Sequence, residues 1–346
     1  MKRTSQGRLF IDSARVVAFL ASVALQSAAH AQSGTLSVAV GTAPPDLTLQ
    51  SYYFAYEKGF YKDEGVDVKL NALNGDALVM RALASGEADI AAGVGLGIPL
   101  KAIETGSKLK VILAAAPKMD YLLVAQKGIS SPKDFEGKNL GVSGPGAVSY
   151  QVPLLMIKAA GGDPAKVNFV SVGGTSARTL ALIGRKIDGA VLNSSFAYRT
   201  SKYDYLHPIA DAARDLPNFI YTVEVATERT IQQRHAALQA FANGTLRGAR
   251  WAMQNPEAAI AISQKYLPDV PKEEIAAGLR HFAETTYYNV DGVLRREAWD
   301  FTLDELVKSG EIKRKLNYAD YVAPEFGQAA AKKLGPYKPP AAKPGR

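Results

Sequence analysis

The phrase "MRALASGEADIAAGV" at residues 80–94 returns in outline 99 positions later as "TLALIGRKIDGAVLN" at residues 179–193. Ala82-Leu83 falls on Ala181-Leu182, and Asp89 falls on Asp188. Each copy reads as a helix stopped by a glycine (Gly86, Gly184), a turn through an aspartate, and a strand of small apolar residues buried on both faces. A chain that repeats a helix-turn-strand step at this distance predicts two α/β units of related build.

The surrounding pattern agrees. Apolar, β-rich runs stand at 36–40, 66–70, 88–94, 109–116 and 121–126, with helical patterns near 48–60, 76–85 and 96–105. A second series has runs at 138–144, 167–174 and 187–193, separated by helices near 147–160 and 176–184. Strands alternating with helices of this length form βαβ units around a parallel sheet. After "NFIYTVEVAT" (218–227) the chain turns to long helices up to about residue 333, with Leu238, Phe241, Leu246 and Trp251 at helical spacing.

The N-terminus places Lys2, Arg3, Arg8 and Arg15 before "VVAFLASVALQSAA", followed by "AHA". A basic head, a short apolar stretch and a small-x-small site make a secretory signal peptide over residues 1–31, cleaved near Ala31. The apolar stretch falls short of the ~20 residues of a membrane span. The chain has no cysteine, so neither disulfides nor a lipid on the new N-terminus are available, and a free periplasmic protein is expected. Its net charge of +8 collects at the ends: the signal segment holds four basic residues against Asp12, and the tail beyond residue 331 has five against none. The body is close to neutral and has no basic stripe with interleaved aromatics, which excludes a nucleic-acid partner. Residues 334–346 read as a flexible basic tail.

Three phrases, "YFAYEKGFYKDEGVDVKL" (53–70), "GDALVMRALASGEADIAAGVG" (75–95) and "NPEAA" (255–259), resemble the nitrate/sulfonate/taurine-type substrate-binding proteins of ABC importers. The same wider family includes binders of thiamine-pyrimidine precursors. The resemblance runs in order over roughly residues 36–310. It implies a type II periplasmic binding protein, α/β throughout: two doubly wound lobes joined by two crossover strands, with the ligand in the cleft between them. The crossovers are expected near Val124–Lys127 and Asn218–Val225. Lobe one is then 34–125 plus 220–333, and lobe two is 126–219. It further implies a monomer that closes on a small molecule and delivers it to a membrane permease, with no enzymatic activity, cofactor or metal.

Ligands of open parallel sheets sit at the carboxyl ends of strands, and this rule selects the candidate residues. The loop "GTAPPDLTL" (41–49) offers Pro44, Asp46 and Thr48, the last two equally suited to capping a helix. "LNGD" (73–76) opens another helix and offers Asn74, Gly75 and Asp76, equally suited to capping it. "GVGLG" (93–97) offers Gly93, Val94 and backbone N–H groups. In the second unit, "SGPGAVSYQ" (143–151) joins a glycine turn to a helix N-terminus, a ready anion site, and supplies Ser143, Gly146, Ala147, Ser149 and Tyr150. Members of the resembled family often carry hydroxyls where Ala147 and Val148 stand here, which disfavours a small inorganic anion. Asn193 and Ser194 end the repeated strand opposite this turn, and Tyr121 lies just before a crossover. The expected ligand is a small organic anion, with a neutral pyrimidine-type ligand, a sensor partner or an enzyme on the same fold as alternatives. Against the last, four histidines, no H-E-x-x-H and "GVSGP" in place of G-x-S-x-G leave little catalytic chemistry.

Overall fold

The computed structural model describes residues 34–41, 46–73, 75–144 and 148–339. The signal segment, the end of the tail, and the expected contacts Pro44, Asn74, Gly146 and Ala147 lie outside them. Among the described residues ten strands form two sheets. They are β1 (Thr35–Val40), β2 (Asp67–Ala72), β3 (Ile90–Gly95), β4 (Leu109–Leu113), β5 (Leu122–Gln126), β6 (Asn139–Val142), β7 (Asn168–Ser171), β8 (Gly189–Leu192), β9 (Leu206–Asp211) and β10 (Thr222–Thr227). The first sheet runs β2-β1-β3-β10-β4, and the second runs β7-β6-β8-β5-β9.

The two orders are the same order. In sheet one β1 lies between β2 and β3 in parallel, in sheet two β6 lies between β7 and β8 in parallel, and in each the fourth place holds an antiparallel strand. That strand is β10 in sheet one and β5 in sheet two. The repeated phrase marks one step of this plan, helix Asp76–Ser85 into β3 and helix Thr175–Ile183 into β8. Its aspartates have one job twice over. Asp89 accepts from the Ser37 N–H at 2.9 Å and Asp188 from the Asn139 N–H at 2.8 Å, each tying the entry of the third strand to the start of the first.

The two copies differ at their stops. Gly86 adopts the expected left-handed conformation (φ 82°), but Gly184 does not, and Arg185 takes that role with φ 54°. The Arg185 guanidinium lies 4.1 Å from the centre of the Tyr205 ring, a contact that holds it there. β5 also corrects an expected boundary. It pairs with β8 and β9 in sheet two, so the chain leaves sheet one over residues 114–121, ahead of the expected 124–127, and returns over 212–221.

Sheet one buries Leu36, Val38 and Val40 against the aromatic side of helix Glu228–Gln254, where Phe241 is fully enclosed. Trp299 fills its other side. Lobe two has its own core around Leu123, Phe135, Leu140 and Met156, with a second layer of Leu182, Ala190 and Leu192. Helix Lys272–Thr285 packs between the lobes. A side chain at its Gly278 would meet Leu47 of lobe one and Ser194 of lobe two at 2.6 and 3.4 Å.

Candidate functional site

The carboxyl ends of both sets of parallel strands meet where the chain passes between the lobes, and polar side chains converge there. From lobe one, Asp46 caps the Leu47–Leu49 turn, accepting from the Thr48 N–H at 3.0 Å and from the Thr48 hydroxyl. Thr48 is thereby used as a capping partner. Asp76 opens helix Asp76–Ser85 and accepts from the Gly95 N–H at 2.9 Å. A methyl on Gly41 or Gly95 would stand 3.1 or 3.2 Å from its carboxylate, so both glycines make room for this group. Gly75 precedes it at φ 101°, donating to the carbonyls of Gly41 and Leu73.

Asp120 lies on the passage into lobe two, almost fully buried, and accepts from the Ser194 N–H at 3.1 Å. Asn193 holds the same junction. Its amide nitrogen donates to the Asp120 carbonyl at 3.2 Å and its oxygen accepts from Thr175 Oγ1 at 3.0 Å. Tyr121 follows, tilted against Tyr221 of the return passage with ring centres 6.4 Å apart.

Lobe two contributes a residue that the sequence reading did not select. Arg178 is 1% exposed and donates to the carbonyls of Val191 (3.1 Å) and Gly173 (2.7 Å) and to the hydroxyls of Ser143 (2.6 Å) and Thr175 (3.1 Å). Its partners among the described residues are neutral. The signal lay in the repeat: at the offset of 99, Arg178 falls on Val79, a fully buried core position. A cation where the first copy has a valine points to chemistry.

Other expected contacts are spent inside the protein. Leu49 covers Gly93, leaving only 2.5 Å to any added side-chain carbon, and Val94 is buried in the pairing of β3 with β10. The N–H groups of Gly95 and Leu96 are taken by Asp76 and by the Tyr221 carbonyl. Ser149 turns inward to accept from the Ser143 N–H at 2.9 Å, and Tyr150 packs on Phe169 with ring centres 4.6 Å apart. Ser143 itself is exposed, with its hydroxyl on Arg178.

The electrostatics join these groups into one cluster. Burial pushes the Asp120 carboxyl up to about 7, and the charge of Asp46 adds to the effect. Burial also raises Asp46 and Asp76 above the usual carboxylate range, against their hydrogen bonds. Tyr221 is raised well above an ordinary phenol, first by Tyr121, then by burial and the carboxylates of Asp46 and Asp76. Tyr287, fully buried, feels Asp120 and Asp46. Side chains also pair across the two lobes. Arg199 of lobe two forms a two-point pair with Glu274 (3.0 and 2.7 Å), and Gln151 donates to Glu311 at 2.9 Å. A separate groove of 840 Å³ around Asp89, Lys108 and Arg234 opens at the opposite, amino-terminal end of sheet one.

Comparison with known proteins matches this architecture. The chain is 25% identical over 236 residues to a formylaminopyrimidine-binding protein of Halalkalibacterium halodurans, covering 63% of this chain and 66% of that protein. It is 23% identical over 231 residues to the riboflavin-binding protein RibY of Chloroflexus aurantiacus, covering 65% and 64%. The match thus spans just under two thirds of each relative's length. The periplasmic aliphatic sulphonate binding protein SsuA of Escherichia coli superposes with a TM-score of 0.69 at 13% identity, over 84% of this chain and 92% of that one. The desulfurization enzyme DSZB superposes at 0.64 with 14% identity, over 87% and 100%. These structures share the fold, that of the periplasmic binding proteins. The family described as NMT1/THI5 like matches residues 48–259, most of the two lobes, and the chain belongs to it.

Proposed function

We propose that this protein is the solute-binding component of an ABC importer. It is exported behind the signal peptide of residues 1–31, encloses a small organic molecule between its lobes, and presents it as a monomer to a membrane permease. The observation that carries this reading is the buried and half-buried polar cluster at the junction of the lobes, with side-chain pairs crossing between the lobes beside it. Buried charge is costly, and a fold that gathers Asp46, Asp76, Asp120 and Arg178 at one junction is organised around something that uses them. The family and the names of the relatives support it: those names specify a formylaminopyrimidine, riboflavin and sulfonates, all small organic molecules.

An anionic or acceptor-rich group on the ligand would face lobe two, where Arg178 sets the potential through the Ser143 hydroxyl. Asp46, Gly75, Tyr121, Ser143, Asn193 and Ser194 remain the proposed contacts. The test is a thermal-shift screen of the mature chain against alkyl sulfonates, aromatic carboxylates, aminopyrimidines and riboflavin. A ligand at ~100 times its Kd adds about 2.7 kcal/mol of stability, and Ser143→Ala together with Asn193→Ala should weaken that shift. Silence across the panel would overturn the reading. The likeness to DSZB supports a second reading, an enzyme of the same architecture; mass spectrometry of a bound sulfinate decides it, since turnover gives a product and simple binding does not.

A further inference from the structure

A further cavity, of 290 Å³, lies where the chain passes between the lobes, and none of the contacts proposed for the cleft lines it. Pro117 and Lys118 of the outward passage form one wall, and Phe219 and Ile220 of the return passage form another. The segment from Thr286 to Arg295 forms a third. Backbone bonds hold these walls together: the Tyr221 N–H donates to the Pro117 carbonyl at 2.7 Å, and the Asn289 N–H to the Ala115 carbonyl at 2.8 Å. The volume stands at the small end of ligand sites, which run to about 1,000 Å³. Because both passages line it, an occupant touches the chain where the lobes are joined.

The lining is of two kinds. Phe219, Ile220 and Val293 give it an apolar side, and Val293 is left 47% exposed. Beside them stand two cations. Lys118 is half-buried and donates to the Thr285 carbonyl. Arg295 is exposed and donates to Asn218 Oδ1 at 3.3 Å and, more weakly, to the Pro217 carbonyl at 3.5 Å. Both are held by neutral oxygens, and neither forms an ion pair among the described residues. One carboxylate shares the lining, Asp291, and it is 68% exposed with the Arg250 guanidinium 4.0 Å away. Burial, and after it the charge of Arg295, holds the Lys118 ammonium below the ordinary lysine range, with Asp211 acting the other way. Two cations beside an apolar hollow are answered by one anion with an apolar body. We propose that this cavity is a second binding site, beyond the solute-binding reading, for a small organic carboxylate held by Lys118 and Arg295 with its body against Phe219 and Val293.

Calorimetric titration of the mature chain with benzoate tests this, with benzyl alcohol and benzylamine as its neutral and cationic relatives. Benzoate should bind about tenfold more tightly than either, the worth of one hydrogen bond to a charged group. Lys118→Gln and Arg295→Gln should each weaken it by a similar factor, and Ser143→Ala with Asn193→Ala should leave this binding unchanged. Arg295 is exposed, so its variant reports on the site even where Lys118→Gln fails to fold. Benzoate binding that survives Arg295→Gln overturns the inference. If that binding is lost instead with the Ser143 and Asn193 pair, the anion sits in the cleft and the solute-binding reading gains. No benzoate binding, or equal binding of either relative, also overturns the inference; the solute-binding reading then stands or falls by its own wider screen.

Discussion

Glu224, on β10, is fully buried, and its carboxylate accepts from the Tyr52 hydroxyl and from the Ala115 N–H at 2.9 Å. Those bonds favour the ion, yet burial outweighs them and lifts the carboxyl to about 7. The folded state therefore holds a proton that the unfolded chain gives up at ordinary carboxylate pH, so stability is greatest below that range and falls as pH rises toward 7. Asp120 acts in the same sense over a similar window. Thermal melts should show a lower melting temperature at pH 8 than at pH 5. Glu224→Gln should flatten the slope by on the order of 2–3 kcal/mol, and an unchanged slope would assign the titration to other groups. Steric demands are as local. Gly248 faces the backbone of the neighbouring helix, where an added carbon would stand 2.5 Å from the Ser51 carbonyl and 2.7 Å from the Ala55 nitrogen. Gly248→Ala should cost about 1–3 kcal/mol in urea unfolding. Single residues were read from the chain with uneven success for a physical reason. Asp46 and Thr48 suit a cap or a contact equally well in sequence, and only the bond between them shows that Thr48 serves as the capping partner. Asp120 carries no motif; its position follows from where β5 begins.

At the scale of elements, the alternation of strand and helix made the first four strands, β5 to β8 and β10 legible, because each is an apolar or alternating run bounded by turn residues. β9, "LHPIAD", escaped. Its proline and histidine break the alternation, it sits at the sheet edge with β5 as its neighbour, and its pairing shifts register between Leu123 and Val124. The order of strands was not legible, since in sheet one the antiparallel strand in the fourth place, β10, arrives more than a hundred residues after β4. The duplicated aspartates give a paired test. Asp188→Ala removes a charged bond to the Asn139 N–H, worth about 1.5–3 kcal/mol. Asp89→Ala removes the equivalent bond and also the ion pair with Arg234 at 2.6 Å, which itself reaches the Thr35 carbonyl. Chemical denaturation should rank Asp89→Ala as the more costly, with the double variant close to additive because the two sites lie in different sheets.

The whole molecule is two repeats of one plan held at a junction that each helps to build. Contacts outside the proposed ligand contacts also cross this junction, among them Arg199 with Glu274 and Gln151 with Glu311. Arg199→Ala with Gln151→Ala should shift the population toward separated lobes. Small-angle scattering should then report a larger radius of gyration, and any ligand found by the screen should bind more weakly in proportion to the lost closed fraction. An unchanged radius and affinity would show that these pairs follow closure without favouring it.

The borrowed strand β10 also orders the birth of the fold. Sheet two is built wholly from residues 122–211, one unbroken stretch, whereas sheet one has a gap between β3 and β4 until β10 is supplied. A chain emerging from its N-terminus therefore holds an unfinished first sheet while the second can already close. The lobe that begins first is completed last, its open slot marking time until Thr222–Thr227 slides in and the two halves are locked into one object.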